Sequence, residues 1–313
     1  MSALMRARAW FFSAAVPPER LASLRILVFA FGIIYLLARA QHLTDFGGMS
    51  ESSFAPVGVV SLLHAPLAAA WVGVSFGATL VLGIAALLGV YYRLTAPFYA
   101  LGLLWVLSYR NSWSMIFHTE NLLVLHTCIL SLSPAADVWT KGRKPSDLSE
   151  RQTAGVYSWA LHALSLVTIL SYVLAGIAKL RLSGFDWLSG EALRTQIAFD
   201  ALRKIELGSG HATLGVWLVQ HPLLFTPFAC LTLACELGAP LALLGGWVTR
   251  VWCAVIWGFH LAVVVLMLIV FPYALSGIAL ASFFPCEVLL RRAARYIQSK
   301  RRGAEHREAG NPA

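Results

Sequence analysis

The chain carries too little charge for a water-soluble protein. Only 12% of its 313 residues are charged, against about 25% in an ordinary soluble domain. Hydrophobic residues make up 58%, and the mean hydropathy is +0.71. The sequence also lacks internal repeats, low-complexity tracts and any polar region long enough to form a separate soluble domain. These absences exclude a soluble monomer and indicate one membrane domain.

Familiar catalytic and metal-binding motifs are missing as well. The sequence has no H-E-x-x-H, no G-x-S-x-G, no Walker loop and no G-x-G-x-x-G. Its five cysteines show neither C-x-x-C nor zinc-finger spacing, so we interpret them as packed thiols and expect no metal. Intramembrane histidines can ligate haem between helices. Here their spacing forms no paired pattern, which leaves haem as a weak alternative.

The sequence has a succession of apolar stretches instead. Each is a candidate for a helix that crosses about 30 Å of hydrocarbon. We therefore predict an all-α polytopic membrane protein with about eight transmembrane helices, within a range of seven to nine. The apolar piece 212–220 is predicted either to re-enter the membrane or to lead into the sixth span. The eight stretches lie at roughly 21–40, 68–90, 95–108, 115–133, 155–179, 222–247, 251–271 and 273–290.

The basic residues provide an independent test, because Lys and Arg favour cytoplasmic loops. With eight spans, both termini lie on one side of the membrane. That side receives 16 of the 24 basic residues, the other side receives 5, and the remaining 3 lie within spans. The bias predicts that both termini are cytoplasmic, in a multi-pass protein of a bacterial inner (plasma) membrane.

Three segments follow from this arrangement. We predict an N-terminal interfacial segment over 1–20, a transmembrane domain over 21–290 and a basic cytoplasmic tail over 291–313. The tail carries +5 of the net +9 charge, so the expected partner of that charge is anionic lipid rather than nucleic acid. Within the domain, segment 180–211 interleaves charged and apolar residues. That mixture predicts one or two short amphipathic helices on the outer surface, with a solvated loop as the alternative.

Ionisable groups inside spans are expensive, so each is a candidate functional residue. Lys179 closes the apolar stretch 170–179. The small residues beside it, Ala175, Gly176 and Ala178, would let a helix or a ligand come close. Burial disfavours the ammonium form, so this amine is a candidate base or nucleophile. The alternative is a lysine at a helix end that reaches the lipid head groups.

His118 and Asn121 belong to a polar cluster that opens the fourth predicted span. Their spacing of three residues predicts neighbours on one helix face. The predicted topology places His118 and Lys179 near the outer leaflet, so we expect them to converge. In the alternative interpretation, the cluster only forms the first turn of a helix.

Glu236 and His260 are predicted to lie near the middle of the membrane. A buried glutamate needs a partner or stays protonated. His260 is a candidate for that partner, or for a side chain that lines a cavity together with Glu236.

Four passages are distinctive in combination, and they run from residue 20 to about residue 290. Together they resemble the HTTM (horizontally transferred transmembrane) family, the bacterial relatives of the membrane part of vitamin K-dependent gamma-glutamyl carboxylase. The passage around Lys179 is the most specific of the four. The passages are Arg20-Leu21-Ala22-Ser23-Leu24-Arg25; Ser112-Trp113 with His118 and Asn121; Ala175-Gly176-Ile177-Ala178-Lys179-Leu180 with Asp186-Trp187 and Gly190; and Phe259-His260.

The resemblance implies a chemistry. In the carboxylase, the lysine of this stretch deprotonates reduced vitamin K, oxygen attacks, and a strongly basic alkoxide forms. The alkoxide removes a proton from a glutamate side chain, and the carbanion takes up carbon dioxide. By resemblance, Lys179 is the base and His118 assists the carbanion step. The residues expected at the reduced quinone, which is vitamin K or another membrane quinol, are Asn121, Trp187, Glu236 and His260.

The sequence also departs from the carboxylase. The carboxylase has a large lumenal region after its membrane part, which helps to hold its protein substrate. Here the transmembrane domain is followed by the basic segment 291–313, so we expect substrate recognition by that route to be absent. A peptide or protein substrate would have to be recognised in another way.

Two functional hypotheses follow. The first is a quinol-dependent oxygenase or carboxylase with Lys179 as base and His118 as its assistant. The second is a non-catalytic membrane accessory for peptide maturation, export or immunity, in which these residues only bridge helices. A transporter is a third and weaker hypothesis, because paired interrupted helices in matching halves are lacking.

Overall fold

The computed structural model describes residues 11–12, 15–46, 49–113, 116–140, 155–292 and 296. These residues form helices, and they contain no strand. They fall into two compact units. The first unit comprises 1–117, 123–164 and 281–313, and the second comprises 118–122 and 165–280. Most of the predicted N-terminal segment 1–20 and tail 291–313, and the basic loop residues 141–154, lie outside the described residues.

Long apolar helices dominate the first unit. Helix α1 begins with Pro18 at its first turn, a position that needs no backbone N–H donor, and Glu19 suits the positive end of the helix dipole. Helix α3 ends at Gly89, whose φ of 76° is the left-handed conformation that glycine adopts without strain. The helices are α1 (Pro18–Ala38), α2 (Ala40–Thr44), α3 (Ala69–Leu88), α4 (Tyr92–Asn111) and α5 (Asn121–Ser131), with 3-10 turns at Glu51–Ser53 and Gly58–Leu62.

Helix α6 (Ser158–Ser183) starts in the first unit and continues into the second, where the remaining helices are shorter and more often interrupted. Trp187 is buried among Ala229 and Leu233, and a neighbouring cluster joins Ile197 to Phe225. The helices are α7 (Glu191–Glu206), α8 (Thr213–Val219), α9 (Phe225–Leu237), α10 (Gly246–Met267) and α11 (Pro272–Leu275), with 3-10 turns at Gly184–Ser189, Pro222–Leu224, Ala239–Leu244 and Ile278–Phe283.

Several of these helices are long and apolar enough to cross a membrane. Among the described residues there are four, and a fifth if the broken pair Thr213–Val219 and Pro222–Leu237 counts as one span. The two members of that pair meet at 101°, the geometry of a broken span or a re-entrant loop. The all-helical, multi-pass architecture is thus confirmed, whereas the count of eight is not. The four helices are Pro18–Ala38, Ala69–Leu88, Ser158–Ser189 and Gly246–Met267.

Breaks in the backbone account for part of the lower count, whereas the stretch predicted at 95–108 lies in the continuous 20-residue helix α4, which is not among the four. The stretch predicted at 115–133 forms α5, whose 11 residues extend roughly 16 Å and cannot cross the hydrocarbon alone. The stretch predicted at 273–290 is divided at Gly277, whose φ is 75°. An apolar run therefore identifies membrane residues but does not ensure a continuous helix.

Segment 180–211 contains the 3-10 turn Gly184–Ser189 and the 16-residue helix α7. Asp200 fixes the polar face of α7, because it accepts from Arg203 at 3.0 Å and from Lys204 at 2.8 Å. Lys204 also donates to the carbonyl of Met267 at the end of α10, where a cation complements the helix dipole. These contacts hold α7 against α10 within the second unit.

Candidate functional site

One face of α6 presents the residues around which the candidate site is built. Tyr172, Gly176 and Lys179 are spaced i, i+4 and i+7, so they lie in a row along the helix. Each contacts a residue of α9 or α10, all within the second unit. The site therefore depends on how closely these two helices approach the row.

Lys179 forms an ion pair with Glu236, its Nζ donating to Oε1 of the carboxylate. The Lys179 side chain is 20% exposed and that of Glu236 only 5%. Gly176 makes room for this pair, because a Cβ at that position would lie 2.8 Å from Leu237 Cδ2 and 3.2 Å from Glu236 Cβ. The small residue beside Lys179 thus admits α9, in line with the sequence expectation.

Two aromatic rings flank the lysine amine. The Nζ atom lies 5.0 Å from the centroid of Trp187 and 5.8 Å from that of Phe259, distances at which a ring stabilises a cation. Trp187 is held by a 3-10 turn that ends at Gly190, where φ is 87°. A side chain at position 190 would collide with the backbone of Phe225 and Thr226. The Asp-Trp and Gly elements of the motif therefore place an aromatic ring beside Lys179.

Three buried polar atoms near this row lack a hydrogen-bond partner among the described residues. They are Glu236 Oε2, Trp187 Nε1 and His260 Nδ1. Buried polar groups are normally satisfied, so each of these atoms marks a place where a polar group of a ligand would be stabilised. Glu236 is central here, because one oxygen binds Lys179 and the other is left over.

His260 does not pair with Glu236. Its Nε2 lies 3.0 Å from the hydroxyl of Tyr172, and Tyr172 packs edge-on against Trp252 at 5.5 Å between ring centroids. Of the two roles expected for His260, that of partner to Glu236 is wrong, because the carboxylate pairs with Lys179 of α6, and His260 is not among the residues that line the cavity beside Glu236. Tyr172 is a site residue that sequence reasoning missed, although its spacing of seven residues from Lys179 was a usable signal.

His118 lies apart from Lys179. It precedes α5, and the backbone N–H of Asn121 donates to its carbonyl at 3.2 Å, so a turn joins the two residues rather than one helix face. The His118 ring lies 5.7 Å from Phe271, which in turn lies 5.0 Å from His260. Among the described residues no contact joins His118 to Lys179, and their connection runs through these rings. Asn121 is exposed.

An apolar cavity of about 500 Å³ adjoins the ion pair. Glu236 is its charged lining residue, and Phe259, which contacts Lys179, is another. Neither Lys179 nor His118 lines it. The remaining lining residues are mostly aliphatic or aromatic and come from α7 to α10. They include Leu193, Ile197, Leu218, Phe225, Phe228, Leu231, Cys235, Ile256, Leu261 and Leu266.

The arrangement can house an apolar molecule and exchange a proton with it. The ion pair supplies a cation with an aromatic neighbour and a carboxylate oxygen that has no hydrogen-bond partner among the described residues. The cavity that Glu236 lines is otherwise mostly apolar. The described residues contain no group of three or more His, Cys, Asp or Glu side chains able to hold a metal ion. All five cysteines are free thiols.

Comparison with known proteins gives one match. Residues 16–287 match the HTTM domain, which is most of the chain. Neither the curated proteins nor the solved structures contain a match.

Proposed function

The chain belongs to the HTTM domain family, and on that premise we propose that it is a membrane enzyme that acts on a reduced quinone. Lys179 is the proton acceptor, and Glu236 is the group that exchanges a proton with it. The observation that supports this function is the buried Lys179–Glu236 pair at the edge of an apolar cavity. The type of reaction is proposed from the family's relation to the membrane part of the vitamin K-dependent carboxylase.

The residues present fit a reduced quinone. Such a molecule has an aromatic ring with two hydroxyl groups and an apolar tail. The apolar cavity suits the tail, and the unpaired Oε2 of Glu236 can accept from a hydroxyl. The indole N–H of Trp187, also unpaired, can donate to the second oxygen. His260 and Asn121 are kept as secondary candidates.

The pair works by moving one proton. When the shared proton lies on Glu236 Oε1, the Nζ atom of Lys179 is a neutral amine whose lone pair accepts from that proton. The bound hydroxyl can then give its proton to Oε2 as the Oε1 proton moves to Nζ, and Trp187 stabilises the resulting ammonium. Because the pair is buried, water competes little for the proton. His118 is exposed, and the ring of Phe271 lies between it and His260, so its assistance is assigned to a later step outside the cavity.

When bound, the reduced quinone supplies the oxygen-dependent chemistry that ends in its epoxide, as in the carboxylase. A carboxylase-like enzyme would couple this to proton removal from a peptide substrate. The site is expected on the outer side of a bacterial inner membrane, in a chain of about eight spans with both termini cytoplasmic.

Turnover by substituted proteins tests the proposal. Purified protein in neutral detergent is supplied with oxygen and reduced menaquinone carrying a short isoprenoid tail, and quinol loss and epoxide are measured. Lys179→Ala is expected to lower turnover at least 100-fold, a typical loss for a removed general base, roughly 10²–10⁴-fold. Arg194→Ala is the control, because Arg194 pairs with Glu191 and with the carbonyl of Val219, and it should retain turnover.

Two results would contradict the proposal. One is that the unsubstituted protein consumes no quinol under conditions where it is folded. The other is that Lys179→Ala turns over as fast as Arg194→Ala. Either result favours the second hypothesis, a non-catalytic accessory for peptide maturation, export or immunity, in which the ion pair joins α6 to α9.

A further inference from the structure

Arg25 in the first unit is a fully buried charge with no counter-ion among the described residues. Its relative exposure is 0% in the middle of α1. Its Nη2 donates to the carbonyl of Trp139 at 3.0 Å, whereas Nε and Nη1 have no hydrogen-bond partner. No carboxylate pairs with it among the described residues. The proton-exchange chemistry of the second unit does not use this residue.

An unpaired buried guanidinium is costly. Arginine stays protonated in proteins, so it cannot escape by becoming neutral, and breaking a buried charge pair is strongly destabilising. The nearest aromatic group is Tyr92, with the guanidinium carbon 5.9 Å from its ring centroid. The Tyr92 hydroxyl already donates to the carbonyl of Leu130 at 2.7 Å. One backbone carbonyl and one aromatic ring are thus the described groups that stabilise the positive charge of Arg25.

A polar cavity of about 810 Å³ lies directly beside this charge. Gly89, Tyr92 and Thr140 line the cavity, and Gly89 also contacts Arg25, because a Cβ at position 89 would lie 3.2 Å from Arg25 Nη1. Gly89 therefore lies between the Arg25 guanidinium and the cavity, and Arg25 itself does not line the cavity. A second arginine, the exposed residue Arg93, is among the residues that line the cavity.

We infer that this cavity binds the phosphate group of an anionic ligand. Arg93 contacts the phosphate, and the field of Arg25 acts through the thin wall at Gly89, where low dielectric strengthens it. Inorganic phosphate and an anionic lipid head group share this chemistry. The turn between α3 and α4 lies on the predicted cytoplasmic side, where anionic head groups are found.

Asp137 also lines the cavity and must be accounted for. Its Oδ2 accepts from the hydroxyl of Tyr157 at 2.9 Å. If Asp137 balanced Arg25 across the cavity, no external anion would be required. The two arrangements predict different effects of Asp137. Beside a bound phosphate, its carboxylate repels the ligand and weakens binding. If it balances Arg25 instead, it stabilises the ligand-free protein.

Thermal unfolding in phosphate-free neutral detergent tests the inference. Phosphatidylglycerol, phosphatidylcholine and sodium phosphate are titrated separately, and the shift in Tm gives the apparent affinity for each. Phosphatidylglycerol should raise Tm and phosphatidylcholine should not. A rise with sodium phosphate alone would identify the free anion as the ligand. Arg93→Gln should weaken the effective ligand at least 10-fold, and Arg250→Gln, an exposed arginine of α10 on the predicted same side, should leave it unchanged.

Substitutions at Arg25 and Asp137 separate the two arrangements. Arg25→Met should raise the Tm of the ligand-free protein and remove the ligand-induced shift. Asp137→Asn should increase the apparent affinity. The inference is overturned if phosphatidylcholine acts like phosphatidylglycerol without a phosphate response, if neither anion shifts Tm, or if Arg250→Gln weakens binding as much as Arg93→Gln. It is also overturned if Asp137→Asn lowers the ligand-free Tm and abolishes the shift.

Discussion

In the proposed function, the role of Lys179 depends on the position of one proton. The amine and the Glu236 carboxylate share a proton across the ion pair, and the rings of Trp187 and Phe259 favour its location on the amine. An ammonium ion cannot act as a base. Lys179 can therefore act as a base toward a bound hydroxyl only when the shared proton lies on Glu236. The carboxylate is for this reason as important to the proposal as the lysine.

His118 illustrates a different relation to the site. Its ring packs against Phe271 rather than against a charged group, and its exposure leaves it accessible to a second substrate. The resemblance to the carboxylase implies a later step for this residue. The geometry agrees with a division of labour in which Lys179 acts inside the protein and His118 near its surface.

At the scale of elements, Gly176 controls how closely α6 approaches α9. Gly176→Leu should force Leu237 and Glu236 away, break the ion pair and lower stability by about 2 kcal/mol, as overpacked cores do. Quinol turnover should fall at least 10-fold together with Tm. Both quantities are measured in detergent on the purified variant.

Gly73→Leu is the matched control for this prediction. Gly73 lies within α3, and a Cβ there meets nothing within 4 Å. This variant should keep both turnover and Tm. If Gly176→Leu behaved like Gly73→Leu, the close approach of α6 and α9 would have no functional importance.

The elements also show what periodicity and composition can predict. The apolar runs located α1, α3, α6 and α10, because continuous hydrophobic helices leave a strong signal. They also marked the piece 212–220, ahead of the sixth span, as a candidate to re-enter the membrane. They did not give the 101° bend between α8 and α9, because apolar composition does not show where a turn such as that before Pro222 interrupts a helix. The same limitation explains why the predicted fourth and eighth spans are short helices here.

At the scale of the whole molecule, the predicted topology can be measured by cysteine labelling. The five native cysteines are replaced, and single cysteines are introduced at Ser52, Lys144 and Ala304. A membrane-impermeant maleimide applied to intact cells should label only the Ser52→Cys variant, because the excess of basic residues places the other two positions in the cytoplasm. Labelling of Lys144→Cys and Ala304→Cys only after permeabilisation completes the pattern.

Other labelling patterns would change the account. If Ala304→Cys and Ser52→Cys both react in intact cells, the number of spans is odd and the charge-based topology is wrong. If Lys144→Cys and Ala304→Cys react in intact cells and Ser52→Cys does not, the orientation is reversed. The candidate site would then face the cytoplasm.

The whole site was only partly predictable from the sequence. The sequence selected Lys179, Trp187 and Glu236 as candidate site residues, but it offered His260 as the partner of Glu236, and the Lys179–Glu236 pair was not predicted. The pairing of Tyr172 with His260 depends on the crossing of α6 and α10. Single-sequence patterns carry no information about which helices cross, so such long-range pairs require the structure.

The central claim is that the Lys179 amine performs chemistry and does not merely join α6 to α9. A charge swap separates these roles most directly. Lys179→Glu, Glu236→Lys and the double variant are compared with the unsubstituted protein by Tm and by quinol turnover. Each single variant places two like charges together and should lower both quantities.

The double variant is the deciding measurement. We predict that it recovers most of the lost Tm, because the ion pair is rebuilt in reverse, while its turnover stays at least 100-fold below that of the unsubstituted protein, because the amine no longer stands beside Trp187. Recovery of both Tm and turnover would contradict the claim, and it would show that Lys179 and Glu236 serve only to hold the helices together.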